Sequence, residues 1–439
     1  MDKTRRPNFI VIYCDDLGYG DLGCYGAEQL ETPHLDQLAS QGVRFTDWYS
    51  NSPVCSPSRA SLLTGRYPIK AGVSTILRGD RNRVSGLQQS EKTMAAILRE
   101  HGYRTALFGK WHLGTAPDSR PGAHGFEEFY GFLAGCVDYY SHIFYWGKNV
   151  HPVHDLWHNE QEVWNNGRYL TEVITEKTVE YVARHRNEPF FAYVAYNAPH
   201  FPMHAPDKYM QRYAHLAWDR QVMAAMISAV DDGVGDIVHA LKENGLYEDT
   251  VIFFSSDNGP STEARNWLDG TEDPYYGGSA GLFRGHKASL FDGGIREPAL
   301  LSYPSYIRGG QVCEELGVMM DVMPTFLELA EIDASAAPDI DGASIVSMIT
   351  EGKASPHERV FWEYAGQLAV REGNWKLVLD GKLDFGRKAP EHVHLADVSK
   401  DPGERVNLAE RYPEIAERLE QAVREWYESV KEAAAEVDK

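Results

Sequence analysis

Four apolar runs in this chain end on side chains able to do chemistry. NFIVIY at 8–13 leads into Cys14-Asp15-Asp16, and TALF into Gly109-Lys110-Trp111-His112. FFAYVAY leads into Asn197-Ala198-Pro199-His200, and VIFF into Ser255-Ser256-Asp257-Asn258-Gly259. Ligands of open α/β sheets sit beyond the carboxyl ends of the strands, so four such ends can meet at one place. A single polar cluster would read as a solvated loop, a lone histidine as structural and a lone lysine as solvated. Four clusters at four strand ends favour a shared site. Asp15, Asp16, Asp257 and Asn258 supply only oxygen ligands, which suits Ca²⁺ or Mg²⁺ rather than Zn²⁺. Adjacent strand residues point to opposite faces, so Asp15 and Asp16 share an ion only if the chain turns off the strand there.

The stretch Cys55-Ser56-Pro57-Ser58-Arg59-Ala60-Ser61-Leu62-Leu63-Thr64-Gly65-Arg66 adds a candidate reactive centre. Pro57 suits the first turn of a helix, whose N-terminus near Cys55 favours anions. Arg59, four residues on, can fold back toward the same point. Taken alone, Cys55 reads either as a low-pKa nucleophile or as a buried core cysteine.

Cys-x-Pro-Ser-Arg followed by Leu-Thr-Gly-Arg resembles the signature of the type I, formylglycine-dependent sulfatases, members of the alkaline-phosphatase-like superfamily. The likeness covers nearly the whole chain. It includes NFIVIYCDDLGYGDLGCYG, GKWHLG, YNAPHFPMHAP, SDNG, Phe283-Arg284-Gly285-His286-Lys287 with Gly293-Gly294-Ile295-Arg296, WKLV, and Asp401-Pro402-Gly403-Glu404. The resemblance implies that a maturation enzyme oxidises Cys55 to Cα-formylglycine, which works as its hydrate. It further implies that Asp15, Asp16, Asp257 and Asn258, with residue 55, bind a cation, Ca²⁺ or else Mg²⁺. Arg59 would hold the hydrate oxygen, and Lys110 and Lys287 the sulfate oxygens. His112 would act as base on the formylglycine hydroxyl, and His200 would protonate the leaving alkoxide. One hydrate oxygen would attack sulfur, giving a sulfated enzyme, and the other would then eject sulfate. Expected partners are a sulfated small molecule or glycan and the maturation enzyme.

These groups need a scaffold, and the pattern around them supplies one. Short β-rich runs alternate with helical patterns through the first three-quarters, an α/β sheet with helices on both faces. With the resemblance, this predicts a large mixed, mostly parallel sheet over residues 1–345. Thr32 is expected to cap a helix stopped by Gly42, and Ser90 one that ends at Gly102. Helices are expected over about 171–184 and 219–244. Beyond 345, Val360–Tyr364, Leu368–Val370 and Trp375–Leu379 read as antiparallel strands, and an amphipathic helix starts near Pro413. This makes 346–439 a smaller α+β subdomain.

Bulk composition narrows the function. The 439 residues carry 43 Lys and Arg against 64 Asp and Glu, a net charge of −21. Nucleic-acid binding needs a basic footprint and is excluded as an expectation. An anionic substrate must instead find its cations concentrated locally. No apolar run approaches a membrane span, and five scattered cysteines do not form a disulfide framework. No signal peptide is visible, so a cytoplasmic location is expected.

The segment 135–164 gathers Tyr139, Tyr140, His142, Tyr145, Trp146, His151, His154, Trp157, His158 and Trp164. It reads either as a sugar-stacking surface or as a hairpin packed on the core. Arg78, Arg81 and Arg83 could meet a second anionic group. Together they favour a carbohydrate sulfate over an aryl sulfate. Alternatives are a phosphonate or phosphate ester hydrolase of the same superfamily and an inactive glycan-binding pseudo-sulfatase. Asn258 argues against the first, since related phosphohydrolases commonly carry His there, and the intact set of site residues argues against the second.

Overall fold

The computed structural model describes residues 6–77, 79, 86–145, 151–263, 274–337 and 339–437. Strand β1 (Asn8–Cys14) is buried along its whole length. Ile10, Ile12 and Cys14 enter one core, and Phe9, Val11 and Tyr13 enter another. Burial on both faces is what a strand inside a helix-covered parallel sheet requires. Further strands are β2 (Val43–Phe45), β3 (Arg104–Lys110), β4 (Glu128–Phe132), β5 (Trp157–His158) and β6 (Gln161–Glu162). Then come β7 (Phe190–Ala195), β8 (Thr250–Ser256), β9 (Ala299–Ser302) and β10 (Gln311–Cys313).

Their order in the sheet is β10-β2-β9-β8-β1-β7-β3-β4-β5-β6. The central five, β8-β1-β7-β3-β4, are parallel. β9 runs antiparallel to β8 and β2, and β5 antiparallel to β4. Cys14 pairs with Ser256, Tyr13 with Ala195, and Ala195 with Gly109, so the four polar clusters leave the sheet at one edge. The large, mostly parallel mixed sheet expected from the sequence is present.

Helices α1 (Pro33–Gln41), α4 (Leu170–Arg184) and α5 (Trp218–Glu243) cover the Ile10 face. Helices α2 (Cys55–Thr64), α3 (Met94–Glu100) and α6 (Val322–Leu329) cover the Phe9 face. Two caps differ from expectation. The Thr32 side chain makes no cap bond, and the first amides of α1, those of His34 and Leu35, donate instead to the Asp231 carboxylate of α5. Helix α3 begins at Met94 rather than near Ser90, because Thr93 accepts from the Ala96 amide at 3.1 Å.

A second, antiparallel sheet consists of β11 (Arg359–Tyr364), β12 (Gln367–Glu372), β13 (Trp375–Leu379) and β14 (Val393–Asp397). One face, with Val370, Leu377 and Leu395, packs on Leu419 and Val423 of α7 (Pro413–Val437). The other, with Val360, Trp362 and Val378, packs on Tyr49, Val54, Phe291 and Ile295. Polar contacts reinforce that seam: Trp362 Nε1 donates to Ser50 O at 2.8 Å and Arg371 to Asp47 Oδ2 at 2.5 Å. The small sheet thus braces residues 47–54, the segment that delivers Cys55 to the N-terminus of α2.

Candidate active site

Asp15 follows the last residue of β1, and its amide donates to Ala198 O at 3.2 Å. Asp16 has φ +65°, so the chain does turn off the strand between the two carboxylates. The Asp257 amide, beyond β8, donates to Cys14 O, and the Asp16 amide donates to Asp257 Oδ1 at 3.2 Å. Carboxylate oxygens of Asp15, Asp16 and Asp257 lie within 4.8 Å of one another. Asn258 Nδ2 donates to Asp16 Oδ1 at 2.7 Å, which fixes its amide in the pocket.

This donor set fits a hard cation. Asp15 Oδ1 and Asn258 Oδ1 are buried acceptors without a hydrogen-bond partner, although buried polar atoms are normally satisfied. Burial raises the Asp16 carboxyl against the pull of Lys287, and burial together with the Asp15 charge raises Asp257. Crowded, desolvated carboxylates of this kind are relieved by a bound cation.

Position 55 faces this cluster. Cys55 is the first residue of α2, and its sulfur lies within 4.8 Å of an Asp15 oxygen and a His200 nitrogen. Burial pushes its thiol up to about 11, although Lys110 and Lys287 pull the other way. That direction is opposite to the one a low-pKa thiolate nucleophile needs.

Three buried cations surround the same point. Arg59 donates through Nε and a terminal nitrogen to Asp257 Oδ2 at 3.0 and 2.7 Å, and to the Tyr193 hydroxyl at 3.2 Å. Lys110 Nζ lies 2.6 Å from Asp15 Oδ2. Lys287 Nζ lies 3.0 Å from Asp16 Oδ1 and 2.9 Å from Glu263 Oε2. Burial disfavours charge on both lysines, but the surrounding acidic groups, led by Asp15 at Lys110 and by Asp16 at Lys287, together raise both above the usual lysine value.

Burial lowers both histidines. Burial, then Lys110, holds His112 well below the usual imidazole range. Its Nε2 donates to Leu77 O at 2.9 Å, which leaves Nδ1 as a buried, unpartnered acceptor. A Cβ on Gly135 would lie 2.7 Å from this ring, so only glycine admits the imidazole there. Burial, then Lys287, likewise lowers His200, whose Nδ1 lies 2.6 Å from Phe201 O. Its Nε2 stands 3.5 Å from Asp16 and 3.7 Å from Glu263. Tyr139 fixes this loop by donating to Asn197 O and His200 O.

All ten residues singled out for the site therefore converge. Glu263 and Tyr193 were not foreseen: Ser261-Thr262-Glu263 looks like a solvated loop, and Tyr193 looks like one more buried strand residue. The aromatic segment is mostly core, since Tyr139, His142, Tyr145, His154 and Trp157 are buried. His151, His158 and Trp164 are exposed, Trp164 at 67% and stacked on His154 at 3.7 Å. Trp146, Arg78, Arg81 and Arg83 lie outside the described residues.

Comparison with known proteins agrees with this geometry. Residues 7–332 match the Sulfatase family model, and residues 278–429 match the model described as N-sulphoglucosamine sulphohydrolase, C-terminal. Bovine arylsulfatase A is 33% identical over 97% of this chain and 88% of its own length. Human N-acetylgalactosamine-6-sulfatase is 31% identical over 97% of this chain and 86% of its own. The structure of Ps i-CgsB in complex with k-i-k-neocarrahexaose is similar at 30% identity, with a TM-score of 0.85 over 96% of this chain and 93% of that one. The chain belongs to the sulfatase family and is a sulfuric ester hydrolase.

Proposed function

We propose that the substrate is the sulfate monoester of a carbohydrate, and that a Cα-formylglycine made from Cys55 is the reactive group. The observation that carries this reading is the set of buried oxygens from Asp15, Asp16, Asp257 and Asn258 facing position 55, with Arg59, Lys110 and Lys287 beside it. The carbohydrate preference is supported by relatives named for an N-acetylgalactosamine sulfate and for a complex with a neocarrahexaose.

In this proposal Asp15, Asp16, Asp257 and Asn258 would hold Ca²⁺, which would supply Lewis-acid positive charge to the site. Formylglycine supplies a geminal diol in place of the inert thiol, and so depends on a maturation enzyme. Lys110 and Lys287 hold the equatorial sulfate oxygens in a water-poor site, where fixed charges stabilise developing charge most strongly. Arg59, pinned by Asp257 and Tyr193, orients the group at 55. Nδ1 of His112 carries a free lone pair and would accept a proton from the group at 55, and His200, once protonated on Nε2, would deliver that proton to the departing alkoxide.

Turnover of nitrophenyl sulfate and nitrophenyl phosphonate by enzyme co-expressed with a formylglycine-generating partner tests the reading. Sulfate is expected to be the better substrate, and a strong phosphonate preference would overturn it.

A further inference from the structure

Glu263 is held as firmly as the site residues although its side chain is 16% exposed. Its amide donates to Ser261 Oγ at 3.0 Å, and that hydroxyl donates to Glu263 Oε2 at 3.1 Å. Its carbonyl accepts from the Tyr275 amide at 3.1 Å. The Lys287 amide donates to Pro260 O at 2.9 Å, tying the loop that carries Glu263 to the loop that carries Lys287. Oε2 also receives Lys287 Nζ at 2.9 Å and stands 3.7 Å from His200 Nε2. Lys287 and His200 are thus gripped between two carboxylates, Asp16 toward the interior and Glu263 toward solvent.

We infer that Glu263 is a specificity-determining residue, which reads the substituent next to the sulfated position and selects a hydrogen-bond donor over an anion. The inference rests on the assignment of His200 to the leaving oxygen. With the leaving oxygen at His200, a group on the carbon adjacent to the sulfated carbon would lie just beyond it, within reach of the part-exposed Glu263 carboxylate 3.7 Å from His200 Nε2. A hydroxyl or amide N–H there donates to the carboxylate. A carboxylate or second sulfate meets a like charge held in place, which partners of the same sign avoid at considerable cost. The substrate class is therefore a ring whose neighbouring position carries a free hydroxyl or amide, not a vicinally disulfated ring.

Aryl sulfates isolate this effect from the identity of the sugar. The probes are phenyl sulfate and its 2-hydroxy, 2-carboxy and 3-carboxy derivatives, with kcat and KM measured separately. The wild-type enzyme should accept 2-hydroxyphenyl sulfate and discriminate against the 2-carboxy compound relative to its 3-carboxy isomer. In Glu263→Gln that discrimination should shrink by about tenfold, chiefly through a lower KM for the 2-carboxy probe, and Glu263→Asp should retain it. Wild-type enzyme that takes the 2- and 3-carboxy isomers equally, or a Gln variant with unchanged discrimination, would overturn the role of Glu263 alone. Formylglycine-bearing wild-type enzyme that releases sulfate from neither phenyl sulfate nor a sugar sulfate would overturn the reading of the site on which it rests.

Discussion

Replacing Lys376 with methionine should loosen the small sheet from the large one. Lys376 Nζ lies 2.5 Å from Asp292 Oδ1 and 3.1 Å from Glu404 Oε1, and all three side chains are fully buried. Methionine keeps most of the apolar stem and removes the ammonium. Deleting one partner of a buried ion pair costs about 3–5 kcal/mol, because a charge is left desolvated. Two features place the cost near the lower end. Asp292 keeps Arg296 at 3.2 Å and the Tyr49 hydroxyl at 2.9 Å. Burial already pushes Glu404 up to about 7, against the pull of Lys376, so without the lysine it becomes neutral cheaply. We therefore expect about 3 kcal/mol from urea unfolding at pH 7, with about 1 kcal/mol recovered in Lys376→Met/Glu404→Gln. A single variant within about 0.5 kcal/mol of wild type, the range of an ordinary surface change, would refute the argument.

Two further outcomes follow from the geometry. His200→Ala should slow an unactivated sugar sulfate by roughly 10²–10⁴-fold and nitrophenyl sulfate far less, since nitrophenolate departs without a proton. Equal losses on both would remove His200 from the leaving-group side. His357 is partly buried, which disfavours its charge, but the hydrogen bond and charge of Asp321 at 2.8 Å together outweigh this and raise its pKa. A raised histidine stabilises the fold fully below its unfolded pKa of about 6.5, and that stability is lost as pH climbs through the folded value. The stability gap between wild type and His357→Gln should therefore be widest at pH 6 and narrow toward pH 9, and a gap independent of pH would contradict it.

Much of this architecture is legible in the residues, for identifiable reasons. Strands buried on both faces are continuous apolar runs, so β1, β7 and β8 announce themselves, and their polar exits mark the catalytic edge. Helix caps are less legible when the partner is remote. Asp231 reaches the start of α1 across nearly two hundred residues, and Thr93 beats Ser90 only because of where the backbone bends. The state of Cys55 depends on burial among charges from four separate segments, which no local pattern encodes. Glu263 belongs to the same class, an ordinary loop acid given its meaning by Lys287 and His200 folding against it.

The central claim is that position 55 works as an aldehyde, and the mass of the peptide spanning it in active enzyme tests this most directly. After co-expression with a maturation enzyme, the peptide should carry the mass expected when CH₂SH becomes CHO, in proportion to the activity of the preparation. Active enzyme in which residue 55 is still an intact thiol would contradict the account.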